Sequence, residues 1–184
     1  MVEVRRLALD GLVEIRPKRF TDGRGFFSET WNEAAWRDAG LDQNFVQDNH
    51  SLSRPRGTLR GLHFQSPPAA QAKLVRVSRG SAFDVAVDLR VGSPTYRQWA
   101  GVTLSAAEWN QLLIPIGFAH GFLTLEPDTE VQYKASAAYA PDYDRAIRFD
   151  DPAIGIDWPL SAAELVLSDR DRTAPLLAEV ETGF

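Results

Sequence analysis

Four side chains of the types that move protons sit inside short apolar runs of this sequence. They are His63 in Gly61-Leu-His-Phe64, Lys73 in Ala72-Lys-Leu-Val75, His120 in Phe118-Ala-His-Gly-Phe122, and Tyr133 in Val131-Gln-Tyr133. An imidazole titrates near neutral pH and can take or give a proton. A lysine on an apolar face is costly to bury unless it is paired or used, although one near a strand end can also snorkel to water. Each histidine has the alternative of being a hydrogen-bonded core residue, and Tyr133 that of a core tyrosine with its hydroxyl satisfied. Arg24, Arg56 and Arg60 are available to hold an anion. As a set, these groups and the nearby carboxylates suit proton transfer on a small anionic ligand.

Other chemistries find less support. The sequence has no cysteine, hence no thiol nucleophile, disulfide or thiolate metal ligand. Its histidines are His50, His63 and His120, with no His-x-His pair, so a metal site would need all three or added carboxylates. No metal is expected. There is no Gly-x-Ser-x-Gly elbow, no Gly-x-Gly-x-x-Gly and no Walker sequence, so neither a serine triad nor a nucleotide cofactor is suggested. The formal net charge is -5 with no basic run, which argues against a nucleic-acid partner. The opening Met-Val-Glu-Val-Arg-Arg leads into a mixed segment without a long apolar stretch. The expectation is a cytoplasmic protein with no membrane partner.

The elements that must position these groups read as strands. Lys73–Arg79 and Ala82–Leu89 flank Gly80-Ser81 as strand, turn and strand. Further strands are expected over Trp99–Leu104, Asn110–Pro115, His120–Leu125 and Thr129–Ser136. No long helical pattern separates them, so the fold class is all-β, a sandwich or barrel. Alternation puts Lys73 on the face of Val75 and Val77, and Tyr133 on that of Val131 and Ala135, so both should point inward. Arg60 and His63 are three apart and would face opposite ways on an ideal strand; a bulge at Gly61 would let both reach one cavity. Thr30-Trp-Asn-Glu33 has capping-box form ahead of a short helix that ends at Gly40, and Ser161-Ala-Ala-Glu164 repeats the box. A chain of 184 residues fits one domain, 1–184.

Six blocks of the sequence together resemble the dTDP-4-dehydrorhamnose 3,5-epimerase family. They are Phe20-Thr-Asp-Gly-Arg-Gly-Phe-Phe-Ser-Glu29, Gln47-Asp-Asn-His-Ser-Leu-Ser53 with Gly57-Thr-Leu-Arg-Gly-Leu-His-Phe-Gln65, Ala72 through Arg90, Ile114-Pro-Ile-Gly-Phe-Ala-His-Gly-Phe122, Asp151-Pro-Ala-Ile-Gly-Ile-Asp-Trp-Pro159, and Leu167-Ser-Asp-Arg-Asp171. The resemblance implies a cupin-type jelly-roll β-barrel with a few short peripheral helices, its core at roughly 45–140 and the terminal segments packed around it. It implies a homodimer acting without cofactor on a dTDP-4-keto-6-deoxyhexose.

By the same resemblance His63 is the general base, oriented by Asp171 or by Asp169, and Tyr133 is the acid on the opposite face. Lys73 lies near the sugar carbonyl oxygen. His120 bonds the sugar or the oxyanion, with Asp84 a candidate partner. Gln47, Asn49 and Arg60 contact the diphosphate. Arg24, Phe27 and Glu29 reach the thymidine, often from the neighbouring subunit, and Tyr139 adds a stacking surface.

Leu52 departs from the arginine of many relatives, and the loop Pro67-Pro-Ala-Ala-Gln71 has no evident reading. Both bear on which sugar is accepted. Close relatives that invert only C3 or C5 leave single epimerisation as an alternative. A non-catalytic sugar-nucleotide-binding cupin is the alternative of another class.

Overall fold

A computed structural model describes residues 2–184. Its strands are β1 (Glu3–Arg6), β2 (Val13–Arg16), β3 (Phe20–Asp22), β4 (Gly25–Phe27), β5 (Gln47–Ser53), β6 (Leu59–Gln65), β7 (Lys73–Arg79), β8 (Ser81–Asp88), β9 (Trp99–Ser105), β10 (Gln111–Ile114), β11 (Phe118–Thr124), β12 (Thr129–Ala135) and β13 (Asp144–Ala146). Two short α-helices, α1 (Glu33–Asp38) and α2 (Asp169–Arg172), lie outside them. The strands form a six-stranded sheet, β1-β2-β10-β7-β12-β5, and a five-stranded sheet, β13-β6-β11-β8-β9. β3 and β4 make a separate hairpin. Strand pairing is antiparallel throughout the two large sheets, and the architecture is the expected all-β jelly roll.

The core follows the alternation of the sequence. Val75 and Val77 of β7 and Val131 of β12 meet Ala86 of β8, Leu104 of β9 and Phe122 of β11 between the sheets. Burying each of these valine, leucine and phenylalanine side chains contributes about 1.5–3 kcal/mol. The opposite faces are covered too. Ile147, Ile154 and Leu177 from the C-terminal part pack on Leu62, Val85 and Ala119, while Trp36 of α1 packs on Ile15, Leu74 and Leu113. Hence β11 is buried along its whole length.

The bulge at Gly61 is present. His120 pairs with His63 but Phe122 pairs with Arg60, so Gly61 and Leu62 together face Gly121 alone. Gly61 has φ of 119°, and a Cβ there would lie 2.6 Å from Gly121 Cα and 2.7 Å from the His120 carbonyl oxygen. Only glycine fits.

One helix start differs from expectation. α1 is capped by Asn32, whose side chain accepts from the Ala35 N–H, and not by Thr30. The stronger capping residue lies nearer the apolar run, and the Thr30 carbonyl is occupied by Gln111 Nε2. The end is as expected: Gly40 takes φ of 77°, with Gly40 N–H donating to Arg37 and Leu41 N–H to Trp36, the two bonds of a Schellman motif. At Ser161 only half of the box forms: its N–H and hydroxyl donate to Glu164 Oε2 at 3.1 and 2.8 Å around a single 3₁₀ turn, and the Glu164 N–H donates to the Ser161 carbonyl.

Candidate active site

Between the sheets opens a cavity of about 570 Å³ whose wall includes Arg60, His63, Lys73, His120, Tyr133 and Asp171. β6 supplies Arg60 and His63 on one side of the Gly61 bulge and the other. β7 supplies Lys73 and β12 supplies Tyr133 from the facing sheet, and β11 supplies His120. Lys73 and Tyr133, aimed inward by alternation, thus converge with Arg60, His63 and His120 although four strands supply them.

His63 Nε2 lies 2.6 Å from Asp171 Oδ1. In the neutral ring the nitrogen that faces a carboxylate carries the proton, which leaves Nδ1 with the lone pair a base needs. Asp171 itself is fixed by donation from the Ser168 hydroxyl to Oδ2 at 2.6 Å and from the Gly61 N–H to Oδ1 at 3.3 Å. Burial pushes the Asp171 carboxyl up, but bonds from His63, Ser168 and Gly61 outweigh it and hold the group below the ordinary carboxylate value. Asp169 makes no such contact; its carbonyl accepts from the Thr173 hydroxyl. A second imidazole–carboxylate pair, more deeply buried, joins His120 Nε2 to both oxygens of Asp84 at 3.0 Å.

Lys73 is 9% exposed, and its Nζ donates to the His63 carbonyl at 3.4 Å and lies 5.9 Å from the centre of the Tyr133 ring. Burial lowers its ammonium to about 8, against the attraction of Asp144 and Asp84. It is therefore neither snorkelled to water nor locked in an ion pair. Burial pushes the Tyr133 phenol up, with Asp144 acting in the same direction and Arg60 against it. Arg60 is steadied by Ser53 Oγ at 3.2 Å.

Not every expected residue lines the cavity. Tyr139 does, its hydroxyl donating to Asp144 at 3.1 Å. Gln47 and Asn49 stand beside it on β5: Gln47 Nε2 donates to Asn49 Oδ1 at 3.0 Å, and Gln47 Oε1 accepts from the Tyr139 N–H at 2.9 Å. Asn49 lies opposite Tyr133 in the sheet, and its Nδ2 is buried without a hydrogen-bond partner among the described residues.

Arg24, Phe27 and Glu29 are not brought to this cavity within a single chain. They belong to the β3–β4 hairpin and the residues just after it, where Arg24 pairs with Asp22 at 2.6 Å and Glu29 accepts from Asn32 at 3.3 Å. Phe27 is 66% exposed. Three polar side chains of the wall, Asp144, Arg170 and Ser168, were given no role from the sequence. Arg170 and Ser168 are neighbours of Asp171 on α2, so its capping serine was the one available clue.

Chemically, an oriented imidazole, a buried ammonium and a phenol around one hollow can remove a proton, stabilise the resulting oxyanion and return a proton.

Comparison with known proteins agrees with that chemistry. The family model for dTDP-4-dehydrorhamnose 3,5-epimerase matches residues 6–179. A dTDP-4-dehydrorhamnose 3,5-epimerase of Sinorhizobium fredii is 52% identical over 170 residues, which covers 92% of this chain and 87% of that protein. The crystal structure of the Bacillus anthracis dTDP-4-dehydrorhamnose 3,5-epimerase, with TDP and PPi bound, superposes with a TM-score of 0.93 at 45% identity, covering 96% of this chain and 100% of that one. The dTDP-6-deoxy-D-glucose-3,5-epimerase of Legionella pneumophila, in complex with dTDP-4-keto-L-rhamnose, gives 0.93 at 43% identity, covering 98% and 95%. With sequence and backbone both shared over nearly the full length, this chain belongs to the dTDP-4-dehydrorhamnose 3,5-epimerase family.

Proposed function

We propose that this protein epimerises C3 and C5 of dTDP-4-keto-6-deoxy-glucose, on the way to dTDP-L-rhamnose or a related deoxysugar. The C4 ketone makes the protons on both neighbouring carbons removable, because the carbanion formed is an enolate; no cofactor is required for that step. His63 removes the proton, held in the right tautomer by Asp171, which also stabilises the imidazolium. Lys73 holds the oxygen at C4, where its charge counts most as the enolate forms in a site with little water. Tyr133 returns a proton from the other face. Opposition is the physical requirement: a base that gave back its own proton would restore the starting centre.

The observation that carries this reading is the convergence of the His63–Asp171 pair, Lys73 and Tyr133 on one cavity. The buried Asn49 Nδ2, without a partner among the described residues and beside Gln47, suits oxygen atoms of a diphosphate. His120, backed by Asp84, hydrogen-bonds the sugar, and Tyr139 at the rim stacks on the base. Arg24, Phe27 and Glu29 serve the thymidine only if a second copy delivers the β3–β4 hairpin, so the working form is a homodimer. One epimerase domain spans the chain, and its place is the cytoplasm.

The test is turnover of dTDP-4-keto-6-deoxy-glucose in heavy water, with deuterium counted in the product. Two deuterons, at C3 and C5, are expected. One deuteron makes the protein a single-centre epimerase, and none removes the catalytic reading.

A further inference from the structure

Three carboxylates sit at or just behind the cavity wall, and two of them are each committed to an imidazole, Asp171 to His63 and Asp84 to His120. Asp144, the first residue of β13, has no imidazole. Its Oδ2 accepts from Arg170 Nη2 at 2.9 Å and from the Tyr139 hydroxyl at 3.1 Å, and its side chain is only 14% exposed. β13 lies on the edge of the five-stranded sheet with Ala146 opposite His63, so Asp144 sits two residues along from the base. The mechanism above gives it no task.

Its surroundings suggest one. Lys73 is faced from β6 by Arg60 and His63, from β8 and β11 by the Asp84–His120 pair, and from β12 by Tyr133. From β13 and α2 come Asp144, Arg170 and Asp171; β10, its other neighbour in the sheet, brings only Gln111 and aliphatic residues. Of the two carboxylates that oppose the loss of the Lys73 proton, Asp144 contributes more than Asp84. Asp144 also favours the protonated form of Tyr133. Arg170, which tethers Asp144, is 50% exposed, so water screens the guanidinium more than the carboxylate and leaves negative charge facing the cavity.

We propose that Asp144 is a positioning residue of this site: a tethered negative charge on the wall of the same cavity, held by Arg170 and Tyr139, that helps keep Lys73 an ammonium. It rests on the epimerase reading, in which Lys73 must carry its proton when the enolate forms. A neutral amine holds an enolate oxygen poorly.

The experiment reads Lys73 directly. The whole protein is treated briefly with acetic anhydride across a pH series, and acetylation of Lys73 is followed by peptide mass spectrometry. In the wild type the rate should rise with a midpoint near pH 8. In Asp144→Asn and in Asp144→Ser the midpoint should move down, with Lys73 about threefold or more faster to label at pH 7. Asp144→Glu, which keeps the charge, should restore the wild-type midpoint. The alkaline fall of kcat/KM should shift in parallel. Loss of the fold would send the midpoint the other way, towards the free-lysine value of about 10.4; if Asp144→Asn does so, Asp144→Ser decides.

An unchanged midpoint in a folded, neutral variant overturns the proposal. The two readings separate cleanly. If the charge assignment alone fails, deuterium enters the product and the midpoint stays. If the epimerase reading alone fails, the midpoint moves and the wild type takes up no deuterium.

Discussion

Lys73→Met exchanges the ammonium for a thioether of similar length on the face of β7 that also carries Val75 and Val77. The fold bears a cost for this lysine. Burial lowers its folded value from 10.5 to about 8, even with Asp144 and Asp84 pulling the other way. At about 1.4 kcal/mol per pH unit, that fall amounts to about 3 kcal/mol of destabilisation of the charged form. Relaxation and water entry reduce the part that is recovered, so the gain expected at pH 7 is about 1–3 kcal/mol. For a chain of this length it raises Tm by roughly 3–10 °C. The pH dependence has a definite sign. Because the folded value lies below the unfolded one, the unfolded chain holds more protons between about 8 and 10.5, and wild-type stability rises with pH through that window. Thermal unfolding of both proteins at pH 7 and pH 10 should show the methionine variant ahead at the first and its lead shrinking at the second. Its turnover should drop by about 10²–10³, the scale for losing an oxyanion donor. A variant that melts at or below the wild type at pH 7 would refute the claim that an uncompensated ammonium is stored here.

Three further outcomes are expected. Asp171→Asn should lower kcat by about 10²–10⁴, because the amide cannot hold His63 in the productive tautomer, and should lower Tm as well, because the fold favours the ionised carboxyl; steady-state rates and a melting curve check both halves. Asp88 is fully buried and receives Arg90, Ser93 and Thr95, which hold its carboxyl far below the ordinary value despite burial. Its contribution is complete above the unfolded value of about 3.9 and is lost as acid carries the pH towards the depressed folded one. Asp88→Ala should therefore cost about 3–5 kcal/mol at neutral pH, read by urea unfolding, and less at pH 3. Gly61→Ala forces a Cβ against the Gly121 backbone at 2.6 Å and φ of 119°, so it should lower Tm and activity together, since the bulge aims both Arg60 and His63.

Alternation along single strands was legible because each inward residue is reported by its own apolar neighbours. Lys73 and Tyr133 could be aimed that way without knowing which strands pair. The Gly61 bulge was legible for a similar reason: two polar residues three apart need an extra residue between them to share a face, and a glycine stood there. Asp171 was different. It meets His63 across 108 positions, and no local pattern joins the two; only resemblance to a family indicated it, with Asp169 left open. Asp144 escaped because β13 has three residues, too few to show a period. The hairpin holding Arg24 and Phe27 could be named from its sequence block, yet within one chain it lies away from the cavity, and the thymidine role proposed for it requires a second copy, which no single-chain pattern encodes.

Inversion requires that removal and return of the proton be done by different groups on opposite faces. The most direct test is to follow both events at once in Tyr133→Phe and His63→Ala, by incubating each with dTDP-4-keto-6-deoxy-glucose in heavy water. The phenylalanine variant should exchange deuterium into recovered substrate of unchanged configuration while forming product at least about 10²-fold more slowly than the wild type. The alanine variant should do neither. Inverted product at a near-normal rate from Tyr133→Phe, or continued exchange in His63→Ala, would contradict the two-face mechanism.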